Sequence, residues 1–283
     1  MYNSNNFSDS GSKALTTHTA TLTIYPNGGV WNGSSSNQSF TQAPSTTKTI
    51  ANATRTGYNF NGWTKGGGGS LSGTTYTFGG SNGTLTAGWN IQSYNLTTKA
   101  SPQNVGTVTA GGTLNYGTTK ELTATPSSIT GYTNTFANWT LSGSGSLSST
   151  TTNPTTFTMG AGNATVTANF TSTPNKYYIK FNGNGSTGGS MANQEFTYDE
   201  ASKALTLCAF VRSNYNFHHW NTRADDTGDS YDDGEVVQNL APSGTLNLYA
   251  IWELQGFPVT YSANGHGTAP AAQVKPLGQN LIL

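Results

Sequence analysis

Charge is scarce in this chain of 283 residues. Only 8% of its residues are charged, and 12 basic residues balance 12 acidic ones. A protein that neutralises phosphates needs clustered Lys and Arg, so nucleic acid is not an expected partner. The same scarcity removes polybasic attachment to an anionic membrane surface. No apolar run approaches the ~18 residues of a spanning helix, so membrane insertion is not expected. Residues 1–18 are polar, without a signal-peptide core, and read as an N-terminal arm. The single cysteine, Cys208, excludes a disulfide framework and a Cys-based metal site. Within the apolar alternation LTLCAF it reads as a buried core thiol. None of the four histidines, His18, His218, His219 and His266, lies in a nucleophile-elbow or metalloprotease pattern. No catalytic residue and no cofactor is therefore nominated, and the chain reads as non-enzymatic.

Aliphatic residues are also few. Leu, Ile, Val and Phe make up about one residue in six, below the ~20% that, with a large net charge, signals disorder. Here the net charge is zero, and 14 Tyr and 6 Trp supplement the apolar set. Ser, Thr, Asn and Gly fill most of the remainder, a balance that resembles extracellular β-proteins.

The aromatics recur. RTGYNFNGW (55–63) returns as ITGYTNTFANW (129–139) and as RSNYNFHHW (212–220). Trp63, Trp139 and Trp220 are 76 and 81 residues apart. LTAGW, VTANF and LYAIW end in Trp89, Phe170 and Trp252, which are 81 and 82 residues apart. Two landmarks with nearly one period make a tandem array.

Alternation assigns strands. Leu85, Ala87 and Trp89 share one face, as do Val166, Ala168 and Phe170, and Leu248, Ala250 and Trp252. The opening segments TATLTIY and YYIKF alternate likewise, and PNGG, NGNG and ANGHG follow as turns. The best helical stretch, 199–207 with Asp199 as cap, supports at most one turn. The fold class is mainly β, with little or no helix, in tandem modules of about 75 residues forming an elongated array. Boundaries fall at 1–18 (arm), 19–90, 91–172, 173–254 and 255–283, the last an incomplete fourth repeat. A module this small holds a thin core. The expected core aromatics are Tyr58, Phe60, Trp63 and Trp89; Tyr132, Phe136, Trp139 and Phe170; and Tyr215, Phe217, Trp220 and Trp252. Gly57, Gly131 and Asn214 supply left-handed backbone for a sharp entry into each aromatic pass. Asn134 and Thr135 are inserted in the second repeat and predict a bulge there.

The opening FNGNG, the middle RxxYxFxxWNT with YxDG following, and the closing LYAxW resemble the Listeria–Bacteroides repeat, also called the internalin B repeat. The third repeat is similar over nearly its whole length, and in the first TRTGYNFNGW carries most of the likeness. The second resembles the divergent type. The resemblance implies a β-grasp-like fold, an extracellular setting on bacterial surface proteins and no catalysis.

Two local features nominate ligand sites. The loop 224–235 holds half of the chain's carboxylates, Asp225, Asp226, Asp229, Asp232, Asp233 and Glu235, a density of hard oxygen donors that makes it a candidate calcium site. Its plainer reading is a solvated acidic loop. Trp31, in the turn GGVWNG, has no counterpart in the other repeats and is a candidate glycan platform; its plainer reading is a lid on the first core. His218 and His219 are adjacent on a strand, which predicts opposite faces and no shared ion.

The expected function is structural: a stalk, adhesin or fibre of the bacterial cell surface, outside the cell. One alternative is a filament subunit joined head-to-tail to itself through its termini by strand addition. Another is an adhesive module for a host or surface glycan or a receptor.

Overall fold

The computed structural model describes residues 18–278 and residue 280, so the arm lies outside the described residues except for His18. Every regular element among them is a strand. Among the described residues no helix is long and apolar enough to cross a membrane. The chain divides into two compact units, one comprising residues up to Lys99, Val108–Ala124 and Asn138–Ala168, the other Ala100–Thr107, Thr125–Ala137 and the residues from Asn169 on.

The first unit opens with β1 (Ala20–Tyr25), β2 (Gln38–Gln42), β3 (Thr47–Thr49), β4 (Tyr58–Gly67), β5 (Ser70–Ser72), β6 (Thr75–Thr77) and β7 (Gly83–Ile91). Their main sheet runs β2-β1-β7-β4, with β1 and β7 parallel and the outer pairs antiparallel. Alternation explains the inward face: Ala20, Leu22 and Ile24 of β1 and Leu85 and Ala87 of β7 are buried. The small sheet β3-β6-β5 supplies Tyr76 to the same core, which also takes Phe78, Trp31 and Ile50. Phe60, Trp63 and Trp89 pack against this cluster.

The next strands are β8 (Ser93–Ser101), β9 (Gly106–Val108), β10 (Gly112–Asn115), β11 (Thr119–Leu122), β12 (Ala124–Pro126), β13 (Tyr132–Leu147) and β14 (Thr155–Pro174). In the first unit β10 pairs antiparallel with β8, and β11 with the start of β14. Trp139 is buried there and donates its indole N–H to the Thr152 carbonyl at 2.9 Å.

The second unit ends with β15 (Lys176–Asn182), β16 (Gln194–Thr197), β17 (Lys203–Ala204), β18 (Tyr215–Asn221), β19 (Ser230–Tyr231), β20 (Val236–Val237), β21 (Gly244–Leu254), β22 (Gly256–Val259) and β23 (Gln273–Pro276). Its sheet runs β16-β15-β21-β18-β19, again with a parallel inner pair, β15 and β21. The core gathers Tyr177, Ile179, Phe181, Phe196, Trp220 and Leu248. β22 and β23 form a separate hairpin. The helical turn expected over 199–207 is absent: Asp199 sits in a tight turn at φ 58°, and Lys203–Ala204 pairs with β20.

One irregularity explains the spacing of the aromatic segment. Phe60 and Trp63 are three residues apart, which on a regular strand means opposite faces. The register of β4 against β7 shifts between them: Phe60 faces Trp89 and Trp63 faces Ala87, so β4 carries one extra residue. That bulge returns Trp63 to the core face. In β18 the shift lies between Phe217 and His219, and it does the same for Trp220. The insertion of Asn134 and Thr135 predicts a bulge in the second repeat, whereas these two register shifts lie in the first and third.

Candidate functional site: the joints between repeats

The sequence-nominated ligand residues do not form a site. Trp31 is 4% exposed, lies edge-on to Phe40 and Trp63, and donates its indole N–H to the Ala51 carbonyl at 2.9 Å. Both ring faces are covered, so it offers no platform to a sugar. The acidic loop sends its carboxylates to separate donors. Asp225 accepts from Thr227 Oγ1 (2.7 Å), Asp233 from the Cys208 N–H (2.8 Å) and Glu235 from the Asp232 N–H (2.7 Å). The Thr227 hydrogen bonds hold the Asp225 carboxyl below its ordinary value. Among the described residues no three His, Cys, Asp or Glu side chains gather to hold a metal ion.

Asn221 organises that loop, and the sequence reading passed over it. It is 0% exposed. Its Nδ2 donates to Asp226 Oδ1, the Gly228 carbonyl and Ser230 Oγ, and its Oδ1 accepts the N–H groups of Arg223 and Gly228. His218 and His219 do not point apart. The bulge brings their rings together, Nδ1 to Nδ1 at 2.6 Å, while His219 Nε2 meets Asp226 Oδ1 at 2.8 Å. Cys208 is half-buried against the third core, and burial raises its thiol above the ordinary range.

The twelve aromatics divide by role. The tryptophans and phenylalanines of the repeated segment serve the cores. The tyrosines are placed differently: Tyr58, Tyr132 and Tyr215 are half-buried where one repeat meets the next, and Tyr58 and Tyr215 lie outside the first and third core clusters.

Three successive junctions share one construction. A linker residue, Gln92, Asn175 or Gln255, donates its backbone N–H to the carbonyl of Gly57, Gly131 or Asn214, at 2.8 Å in each case. The carbonyl of that linker residue accepts the N–H of Tyr116 (2.9 Å), Tyr198 (2.8 Å) or Leu277 (2.7 Å). The linker side chain adds a third contact, with Asn59, with Thr133 (2.6 Å) and with Asn216 (2.8 Å) respectively. The side chain following each tyrosine is thus tied to the linker, and each joint is pinned three times across a single residue.

Backbone and ring geometry complete the joint. Gly57, Gly131 and Asn214 are left-handed, at φ 77°, 79° and 65°, the region that glycine enters freely and asparagine tolerates. Tyr116 and Tyr198 each occupy the second position of a tight turn, closed by Thr118 N–H to Asn115 O and by Glu200 N–H to Thr197 O, both at 3.1 Å. Their rings lie flat on the two glycines: a Cβ at Gly57 would stand 2.1 Å from Tyr116 Cγ, and one at Gly131 2.2 Å from Tyr198 Cδ1. Tyr58 meets Tyr116 edge-on with centroids 6.1 Å apart, and Tyr132 meets Tyr198 at 5.9 Å. Arg55 lies 3.9 Å over Tyr58, and Arg212 lies 4.1 Å over Tyr215. Such aromatic and cation contacts each contribute about 0.5–1.5 kcal/mol. An open groove of about 780 Å³ flanks the first joint, and Arg55 is the one charged residue that lines it. What these joints offer chemically is backbone hydrogen bonding and ring contact.

Comparison with known proteins agrees with the repeat pattern. The Listeria-Bacteroides repeat domain matches residues 21–88 and 177–251, just over half of the chain. The Divergent InlB B-repeat domain matches residues 96–174 between them. Two curated relatives come from Evansella cellulosilytica. One, carrying the name Gly-rich membrane protein, is 32% identical over 112 residues, 38% of this chain and 12% of the relative. The other, named a membrane protein, is 28% identical over 95 residues, 33% of this chain and 14% of the relative. The chain thus matches only about an eighth of the length of these relatives.

Proposed function

From the premise that this chain belongs to the Listeria–Bacteroides repeat family, we propose that it is a non-enzymatic structural array of the bacterial cell surface. The observation that carries this reading is the joint. The same three contacts recur at three successive boundaries, although the residues between them are mostly small and polar. A chain whose repeats only needed to be tethered would require no such pinning. A chain that must hold a fixed presentation through successive small domains does, because each thin core gains from ordered neighbours.

The sequence composition supports the setting. A chain with 8% charged residues and one half-buried thiol needs no reducing compartment to stay folded. The words membrane protein in the names of the two relatives favour display at an envelope. The work of the array is then spacing and presentation.

Antibody labelling of intact, unpermeabilised producer cells tests the location. Labelling is expected without permeabilisation, and labelling that appears only after permeabilisation sinks the surface reading. Force spectroscopy on the full chain tests the mechanical half. Separate, regularly spaced unfolding events are expected, and a single featureless extension would count against it.

A further inference from the structure

The three joints share their hydrogen bonds but differ in what fills the socket. At the first two the socket residue is a buried glycine with a tyrosine ring in the volume that a Cβ would take. At the third the socket residue is Asn214, which has a Cβ, and the residue in the tyrosine's place is Leu277, 36% exposed. We propose that the socket residue selects which repeat can follow: glycine admits a neighbour presenting an aromatic ring at the second position of its turn, and asparagine refuses one.

The steric argument is direct. Distances of 2.1–2.2 Å between a Cβ and a ring carbon lie far inside contact separation. No side chain at position 57 or 131 coexists with the seated ring. Asparagine keeps the left-handed backbone, so it preserves the linker hydrogen bonds while closing the aromatic seat. The partner surface is therefore defined chemically: a tight turn carrying tyrosine for a glycine socket, and a turn carrying an aliphatic residue for an asparagine socket. A joint without the ring is the looser one, because the ring adds edge-on contact with the socket tyrosine. The order of residues at the joints would then set both the sequence of neighbours and the firmness of each attachment.

This inference rests on the reading that the joints couple neighbouring repeats, but its test is independent of where the chain is displayed. Amide hydrogen exchange on the full chain reads each joint at its linker N–H. Gln92 and Asn175 are expected to exchange about tenfold more slowly than Gln255, equivalent to about 1.4 kcal/mol. Gly57→Asn should abolish that advantage at Gln92, and so should Tyr116→Leu, which leaves the socket backbone untouched. Leu277→Tyr alone should give Gln255 no added protection, whereas Asn214→Gly with Leu277→Tyr should give it about tenfold. Unchanged exchange at Gln92 in Tyr116→Leu, or a gain from Leu277→Tyr alone equal to that of the pair, overturns the proposal.

Discussion

The hydroxyl of Tyr132 donates to Asp199 Oδ2 at 2.7 Å across the second joint, joining the aromatic segment of one repeat to the turn of the next. Asn239 donates to the other oxygen of the same carboxylate at 2.6 Å. These donors hold the Asp199 carboxyl below its ordinary value, and the same contact with Asp199 raises the Tyr132 hydroxyl above its own. For Asp199 the folded value is the lower one. Its contribution is present above the ordinary carboxyl value of about 3.9 and is lost as pH falls through the folded value. For Tyr132 the folded value is the higher one, so its contribution is present below about 10 and is lost as pH rises through the folded value. Tyr132→Phe should therefore loosen the second joint across the neutral range, by an amount that shrinks as pH falls below the ordinary carboxyl range. Melting curves of the two proteins compared at several pH values check this. An offset undiminished in strong acid would count against it.

Asn221 carries more of the acidic loop than any of its carboxylates. Asn221→Ala leaves the part-buried N–H groups of Arg223 and Gly228 without their acceptor, and an orphaned donor costs about 1–3 kcal/mol when fully buried and less where water reaches it. The third repeat should lose about 1–2 kcal/mol, and proteases should cut first between residues 222 and 230. Denaturant titration with limited proteolysis gives both readings. Asp232→Asn, on an exposed position, should leave stability within about 0.5 kcal/mol of the parent.

Calcium should not stabilise the chain. Asp225, Asp233 and Glu235 are already spent on separate donors, and no three acidic side chains converge among the described residues. A ligand raises the melting point only by binding the folded state. Thermal scans with millimolar Ca²⁺ and with chelator should therefore superimpose. A calcium-dependent shift that Asp232→Asn or Asp233→Asn removes would reinstate the site.

Trp220→Ala should cost about 3–5 kcal/mol in the third repeat. The ring is 0% exposed and lies within 4.8, 4.9 and 6.3 Å of the ring centroids of Phe181, Phe217 and Phe210. Its indole N–H has no hydrogen-bond partner among the described residues, so Trp220→Phe leaves no orphan acceptor and should be much milder. Trp139→Phe removes the donor to the Thr152 carbonyl and should cost more than Trp220→Phe. Near-ultraviolet circular dichroism during urea unfolding separates these cases.

Repeats and strands were legible because both are written in local pattern: a Trp every 76 to 81 residues, and alternation in segments such as TATLTIY. The joints were not. Gly57 and Tyr116 are 59 positions apart in the chain, and nothing local to either names the other. Backbone freedom at Gly57 and Asn214 accounts for their φ values and leaves out the ring that glycine must admit. Sequence alone does not separate these tyrosines from the core, because an aromatic in a repeated segment has the same composition whether it faces inward or toward a neighbour. The His218–His219 pair departs from the parity expectation for a different reason. The parity rule holds only on a regular strand, and one extra residue reverses it.

That extra residue yields the sharpest test of the fold. Phe60 and Trp63 share a face only because β4 carries one more residue than β7 between the pairs Phe60–Trp89 and Trp63–Ala87. Deleting Gly62 would set the two aromatics two apart, in register with Trp89 and Ala87 and on one face without a bulge. The first repeat should then fold, with a loss of no more than about 1–2 kcal/mol from altered twist. Deleting both Asn61 and Gly62 would make the aromatics adjacent and turn the tryptophan outward. That should cost about 3–5 kcal/mol, as removal of a core tryptophan does. Tryptophan emission and denaturation midpoints of the two deletions decide the matter. A single deletion that unfolds the repeat as thoroughly as the double would show that the bulge is needed for more than parity.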